Sequence, residues 1–228
     1  MSDSTNVRRV PIFPLPETVL FPAVALPLHL FEPRYLQMAE DVLSGDKLLV
    51  IVLLRPGWQN DYYGTPPVHE IATLGKVEAH ERLPDGRFNV TLQGLERVRL
   101  LPSDGEERPG GRLYRVREVS PAPEERLPDG VATAELSARL RSLWRELEEK
   151  SGSATEGALR RERLEFDALV NRISSLVDVP ADVKQGLLEQ DDLLLRAAAL
   201  EGHVQQALRF WRTLAGFRRL APEDPSVN

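Results

Sequence analysis

Residues 10–35, VPIFPLPETVLFPAVALPLHLFEPRY, decide the fold of this chain, because apolar residues alternate there with prolines and then give way to a helix start. Proline has no backbone N–H and a fixed φ, so this segment cannot form a regular helix or the middle of a fully paired sheet. Its aliphatic and aromatic residues are too numerous for a solvated linker. The segment therefore predicts short, kinked strands that pack into a core or receive a partner.

The residues that follow predict a helix, a buried strand and a hairpin. Pro33 suits the first turn of an amphipathic helix, where its missing N–H is harmless. Residues 47–55, KLLVIVLLR, form an aliphatic run typical of a central strand that is buried on both faces. Two further strands, over residues 68–82 and 87–101, flank LPDG at 83–86, whose Asp-Gly pair favours a tight turn.

The hydrophobic period changes from near 2 to near 3.6 at residues 121–130, PAPEERLPDG. We therefore predict a β-rich domain over residues 8–120, a linker over 121–130 and a helical bundle over 131–220. The predicted fold class is α+β, with a β-rich pseudo-barrel followed by the bundle. Asp191, one of two adjacent acids before the last helix, is interpreted as the N-cap of that helix.

Composition argues against several classes of function. The chain has 228 residues, a formal net charge of −6 and no cysteine. Nucleic-acid binding needs a basic stripe that this charge does not provide, and disulfides or thiolate chemistry need cysteine. The longest apolar run, residues 48–54, is much shorter than the ~20 residues of a membrane helix, and the N-terminus has no signal-peptide pattern. We expect a cytoplasmic protein without nucleic-acid or membrane partners.

Several motifs, taken in order, indicate a family. They are VPIFPLP at 10–16, LFP at 20–22, LPLHLFEPRY at 26–35 and LPDGRFNVTLQGLERVR at 83–99. Together they resemble the N-terminal, substrate-binding domain of the Lon protease family. The resemblance implies a PUA-like pseudo-barrel followed by a helical bundle, which in Lon captures substrate polypeptides and helps to assemble the oligomer. We expect a stand-alone, bacterial-type member of this family.

No catalytic or metal site is predicted. The sequence contains no G-x-x-x-x-G-K-[ST] loop, so ATP hydrolysis has no phosphate-binding site. The few lysines are interpreted as charges at strand ends or on helix surfaces, so the sequence does not indicate a catalytic Ser-Lys dyad. The histidines do not occur at the spacing of metal ligands. We expect no enzymatic activity, no metal and no cofactor.

The candidate binding residues lie in the loop 56–67 and at the strand-to-helix corner 28–34, which we expect to form one contiguous, partly apolar surface. Aromatic residues exposed in loops are often contact residues, and the alternative is that they fold back to cover the open end of the barrel. Two charged residues of the corner, Glu32 and Arg34, are assigned to a polar rim, and the alternative is that they cap or flank the following helix. Burial statistics favour a core position for Phe31 at the same corner. The predicted peptide-binding set is Phe21, Leu28, Phe31, Glu32, Arg34, Trp58, Tyr62 and Tyr63.

The leading hypothesis is a non-catalytic module that binds unfolded or apolar polypeptide segments by burying their side chains, with strand addition at a barrel edge as a further mode. Other candidate partners are a protease or chaperone component and a second copy of the chain. The alternative is an adaptor or self-associating scaffold that uses the helical half, with the barrel as structural support. A small-molecule site in the barrel is a third, weaker option. The distribution of exposed apolar area separates the first two hypotheses.

Overall fold

Strands dominate the first part of the protein and helices the second, in a computed structural model that describes residues 7–102, 107–125, 131–151 and 164–220. The strands are β1 (Arg8–Leu15), β2 (Ala25–Leu30), β3 (Leu48–Leu53), β4 (Ile71–Arg82), β5 (Phe88–Leu100) and β6 (Arg115–Pro121). The helices are α1 (Pro33–Ser44), α2 (Val131–Ser151), α3 (Phe166–Leu176), α4 (Ala181–Glu189) and α5 (Leu193–Leu220). The predicted α+β class is confirmed. Residues 126–130 of the predicted linker lie outside the described residues, and the division into domains stays a prediction.

The strands form one sheet in the order β2-β5-β4-β3-β1-β6, and β6 pairs a second time with β5. This second pairing joins Val98–Leu100 to Val119–Pro121 and closes five of the strands into a ring. β2 pairs with the first half of β5 and forms the edge of the sheet. The hairpin between β4 and β5 turns at Gly86, whose positive φ of 86° suits glycine.

β1 accommodates two prolines because its two neighbours each cover only part of it. β6 pairs with Arg8–Ile12, and β3 pairs with Ile12–Leu15. Val116 lies opposite Pro11 and donates its N–H to the carbonyl of Glu107, at 2.7 Å, instead of to β1. Since proline lacks an N–H, a strand paired on one side at a time is a position where it costs little.

β3 is buried on both faces, as its aliphatic run predicts, and separates two apolar clusters. Val50 and Val52 belong to a small cluster drawn from the five strands of the ring, which fills the barrel. Leu49 and Ile51 belong to a larger cluster that continues through α1 into α2, α3, α4 and α5. The outer face of the sheet and the helices therefore share one apolar core, which is separate from the cluster inside the barrel.

A buried arginine joins the helices to the barrel. Arg196 of α5 is fully buried, and its guanidinium donates to the carboxylate of Glu124, at 2.6 Å, and to the side-chain carbonyl of Asn171, at 3.0 Å. It also donates twice to the backbone carbonyl of Gln190. Burial lowers the pKa of Arg196, and the charge of Glu124 opposes this shift. We call this group, together with Arg97 and Asp191, the junction cluster.

Asp191 has a different role from the one predicted. Its carboxylate pairs with the buried guanidinium of Arg97 in β5. The N-cap of α5 is Asp192, whose Oδ1 accepts the N–H groups of Leu194 and Leu195 at 2.8 and 3.1 Å. The prediction was wrong because both acids satisfy the sequence rule for a cap, and only the packing of the helix on the barrel distinguishes them.

Gly94 in β5 provides a test of the packing between the sheet and the proline-rich segment. A Cβ at this position would lie 2.2 Å from the backbone oxygen of Phe21, so the backbone would have to move. We expect Gly94→Ala to lower the free energy of unfolding by about 3 kcal/mol, the upper range for overpacking. Urea denaturation measures the change.

The matched control is Gly186→Ala on α4, where a Cβ meets no atom within 4 Å. We expect this variant to gain about 0.5 to 1 kcal/mol, because alanine is the better helix former. Equal stability of the two variants would contradict the close approach at Gly94.

Candidate functional site

The loop 56–67 is an ordered structure fixed by its own hydrogen bonds. Gly57, with a φ of 90°, leads into a short 3-10 turn over Trp58–Asp61. The carbonyl of Asp61 accepts the N–H of Gly64, and its Oδ2 accepts the N–H of Thr65, both at 2.9 Å. Aspartate commonly stabilises turns in this way. The aromatic residues of the loop are therefore held on a defined backbone.

Arg108 and Arg115 fasten the end of this loop to the barrel. Arg108 Nη2 donates to the carbonyls of Tyr63 and Gly64, at 3.1 and 2.5 Å. Arg115, which is buried and paired with Glu107, donates to the carbonyl of Pro66 at 2.8 Å. Sequence reasoning missed Arg108, because it lies in a polar loop without periodicity.

The loop and the strand-to-helix corner meet at Glu32 and Arg34. Arg34 Nε donates to Glu32 Oε2 at 3.0 Å, and Arg34 Nη1 donates to the carbonyl of Tyr62 at 3.0 Å. The Tyr62 hydroxyl donates to Glu32 Oε1 at 2.7 Å. The guanidinium of Arg34 lies 4.5 Å from the centre of the Tyr62 ring and 4.6 Å from that of Tyr35, which is cation–π distance. The structure thus brings both predicted rim residues together with the loop.

Three aromatic rings of the loop form a row with an inner and an outer end. The ring centres of Trp58 and Tyr62 are 5.5 Å apart, and those of Tyr62 and Tyr63 are 5.1 Å apart. Trp58 and Tyr62 are half-buried, whereas Tyr63 is 79% exposed. Tyr62 therefore helps to fix the loop, and Tyr63 is the ring available to a partner.

The remaining predicted residues differ in accessibility. Phe31, next to Glu32, is 61% exposed, and its ring lies 6.2 Å from that of His29. Leu28 is half-buried in β2 and borders an open depression of about 470 Å³. Phe21 cannot contact a partner in this fold, because its side chain is fully buried in the larger core cluster. We call the set Phe31, Glu32, Arg34, Trp58, Tyr62 and Tyr63 the aromatic surface.

The floor of the aromatic surface is Tyr35, which packs at 4.2 Å between ring centres on Phe13. Burial raises the pKa of Tyr35 far above its ordinary value, so the ring remains neutral. A cavity of about 10 Å³ beneath the loop is lined by Arg34, Tyr35, Tyr62 and Arg108. That volume suits one water molecule, so any partner would bind on the outside of the loop.

Two features are absent from the described residues. Within residues 7–102, 107–125, 131–151 and 164–220, no group of three or more metal-ligating side chains is placed to hold an ion. In the same part of the chain, none of the helices combines the length and the hydropathy that a membrane crossing requires.

Comparison with protein families decides the relationship of this chain. The model of the ATP-dependent protease La (LON) substrate-binding domain matches residues 9–206. The chain belongs to this family. The recognition of a Lon N-terminal domain from the motifs at 10–35 and 83–99 is thereby confirmed.

Curated relatives and solved structures agree with this assignment. The chain is 27% identical over 191 residues to the Lon protease of Flavobacterium johnsoniae, which covers 82% of the chain and 23% of that protease. It is 28% identical to Lon protease 2 of Sorangium cellulosum over 97% of the chain and 27% of that protease. The chain thus spans about a quarter of the length of these relatives.

The fold is that of two solved Lon N-terminal domains. The N-terminal domain of the Mycobacterium avium complex Lon protease superposes with a TM-score of 0.67 at 18% identity, over 87% of this chain and 98% of that one. The Lon N-terminal domain protein from Xanthomonas campestris gives a TM-score of 0.59 at 22% identity, over 85% and 96%. These likenesses confirm the barrel-and-bundle architecture.

The hydrogen bond from Tyr62 to Glu32 generates a prediction about pH. Burial and this bond raise the pKa of Tyr62 above its ordinary value of 10.0. The bond therefore stabilises the fold below pH 10.0 and is lost as the pH rises through the raised pKa. We expect Tyr62→Phe to lower the free energy of unfolding at neutral pH by about 1 kcal/mol, a modest value because the pair is partly exposed.

Urea denaturation of wild type and variant, at neutral pH and above pH 10.0, measures this contribution. The difference between the two proteins should shrink at the higher pH. Tyr63→Phe is the control, because that side chain is largely exposed. An equal loss of stability in both variants would show that the hydrogen bond from Tyr62 to Glu32 makes no specific contribution to the free energy of unfolding.

Proposed function

We propose that the protein binds unfolded or apolar polypeptide segments on the aromatic surface. The observation that carries this proposal is the exposure of Phe31 and Tyr63, at 61% and 79%, on a firmly anchored loop and corner. Large aromatic side chains exposed on a rigid scaffold are typical binding residues. The family description, a substrate-binding domain, supports the same function.

The binding mechanism would be the burial of a partner's apolar side chains against these rings. Burial releases water from both surfaces and is favourable in proportion to the apolar area covered. Because the loop is already fixed by Arg34, Glu32 and Arg108, little conformational entropy is lost on binding. Glu32 and Arg34 neutralise each other, so their main contribution is to hold Tyr62 in place.

Strand addition at β2 is a weaker mode of binding. β2 has a partner on one side, so its outer edge could receive an extended peptide. Pro27 in the middle of β2 offers no N–H, which shortens any ladder that a peptide could form. The aromatic surface, rather than this edge, is therefore the principal site that we propose.

The second candidate function, an adaptor that uses the helical half, is supported by exposed apolar residues on α5. Leu195 and Phe210 are 56% and 61% exposed. A protease or chaperone component, or a second copy of the chain, remains a candidate partner for that side. Cytoplasmic location also stays a prediction.

We expect the purified protein to neither hydrolyse ATP nor cleave casein, since the sequence contains no phosphate-binding loop. Phosphate release and fluorescent-casein assays measure the two activities. An activity that stays with the protein through purification and disappears on substitution of a single serine or lysine within the chain would refute this expectation.

The aromatic surface is tested by Phe31→Ala and Tyr63→Ala. If these rings bind a partner, each change should weaken binding to a permanently unfolded polypeptide by about 1 to 3 kcal/mol. The melting temperature should hardly change, because both side chains are exposed. Fluorescence anisotropy and thermal denaturation measure the two effects.

Leu195→Ala provides the control, because it also removes an exposed apolar side chain but lies on α5. Unchanged affinity in the Phe31 and Tyr63 variants would remove the aromatic surface from the proposed function. Trp58→Ala and Tyr62→Ala should differ from them by lowering stability, because these side chains are half-buried.

A further inference from the structure

A groove of about 720 Å³ lies between helices in the second half of the protein. Its walls come from α2, the connection between α3 and α4, and α5, and include Trp144, Leu147, Val179, Ala207, Phe210 and Trp211. Mostly apolar lining and a volume of this size are typical of sites that bury a ligand. We call this feature the helical groove. It is formed by residues different from those of the aromatic surface.

Two buried polar atoms of the groove wall lack a partner in the described part of the chain. Trp144 is 5% exposed and Glu148 is 3% exposed, yet neither Trp144 Nε1 nor Glu148 Oε1 makes a hydrogen bond there. Trp144 and Glu148 both line the groove, and because residues four apart on a helix lie on the same face, the two side chains lie on one side of it. Buried polar groups in folded proteins almost always have partners. The pair therefore indicates a ligand that supplies one acceptor and one donor.

The charged residues of the groove indicate which kind of hydrogen-bond donor the ligand supplies. Glu148 and Asp178 line it, together with His203, and no lysine or arginine is among the described lining residues. The ammonium group of Lys184, which interacts with the charge of Asp178, donates to the carbonyl of Ser175. A carboxylate buried in an apolar wall is best matched by a positively charged donor.

We propose that the helical groove is a second polypeptide site, which takes segments that carry an apolar side chain next to a lysine or arginine. The apolar side chain packs between Leu147 and Phe210, the cation pairs with Glu148, and a backbone carbonyl of the segment accepts the Trp144 N–H. This inference adds a separate surface and a charge preference to the proposed function. It rests on that function only in taking polypeptide as the ligand.

The test uses two fluorescein-labelled peptides of equal length that share the same leucine and phenylalanine residues. One peptide carries lysine and arginine, and the other carries glutamate at those positions. Fluorescence anisotropy with the full chain should show the basic peptide binding at least about tenfold more tightly, by charge complementarity. Equal affinities, or a preference for the acidic peptide, would overturn the proposal.

Glu148→Gln keeps the shape of the side chain and removes its charge. We expect it to weaken binding of the basic peptide about tenfold and to abolish the preference over the acidic peptide. Glu135→Gln, an exposed position on the same helix, should leave both affinities unchanged. Phe210→Ala should weaken binding of both peptides by the same factor. Because Phe210 is exposed, we expect this variant to fold normally. Equal effects of Glu148→Gln and Glu135→Gln would overturn the assignment.

Tyr63→Ala separates this inference from the proposed function. It should leave binding of the basic peptide unchanged while it weakens binding of the unfolded polypeptide. If the basic peptide depends on Tyr63 and not on Glu148, the groove is not its site. If binding of the basic peptide requires Glu148, and binding of the unfolded polypeptide does not change in Tyr63→Ala, the helical groove is supported as a site and the aromatic surface is not.

Discussion

The junction cluster is the interaction on which the arrangement of the two halves depends. Arg97 and Arg196 lose their hydration where the barrel and the helices meet, and a buried charge is strongly destabilising unless an opposite charge lies close to it. Glu124, in the segment after β6, pairs with Arg196, and Asp191, just before the N-cap of α5, pairs with Arg97. The helices can therefore pack on the barrel in few ways, because any displacement would leave a guanidinium unpaired.

β5 transmits this constraint to the rest of the sheet. It carries Arg97 and also pairs with β2, β4 and β6, so its position sets both the free edge and the closure of the ring. A further bond runs from Gln185 of α4 to the carbonyl of Ile71 in β4, at 2.9 Å. The loop of the aromatic surface and the helices of the groove are thus attached to the same sheet.

Local signals in the sequence predicted most of the fold. The prolines of 10–35, the aliphatic run of β3 and the Asp-Gly turn each reflect a backbone requirement of the segment itself, and the structure has them where predicted. The contact between the corner and the loop, which is made by Glu32, Arg34 and Tyr62, was expected from the exposed aromatics of the loop and from the family resemblance.

Ion pairs between residues that are far apart in the sequence could not be predicted from local signals. Glu124 and Arg196, or Arg97 and Asp191, are far apart along the chain and follow no period, so an acid near a helix start looked only like a cap. Phe21 looked like a contact residue because an apolar side chain beside a proline fits a core and a surface equally well. Its burial depends on Gly94, whose missing side chain lets β5 lie against the backbone of Phe21. Trp144 and Glu148 look like ordinary helix residues until the other helices enclose them.

The divided pairing of β1 also determines when the barrel can be completed during synthesis. The parallel pair with β3 can form once residue 53 has left the ribosome, but the other side of β1 waits for residues 115–121 of β6. Until then the nascent chain carries a strand with one unsatisfied edge, the state in which mispairing with other chains is easiest. Pro11 lies on the half of β1 that waits, and its lack of an N–H makes that half a poor template for a wrong partner. Pro11, which the finished strand accommodates, thus also protects the unfinished one.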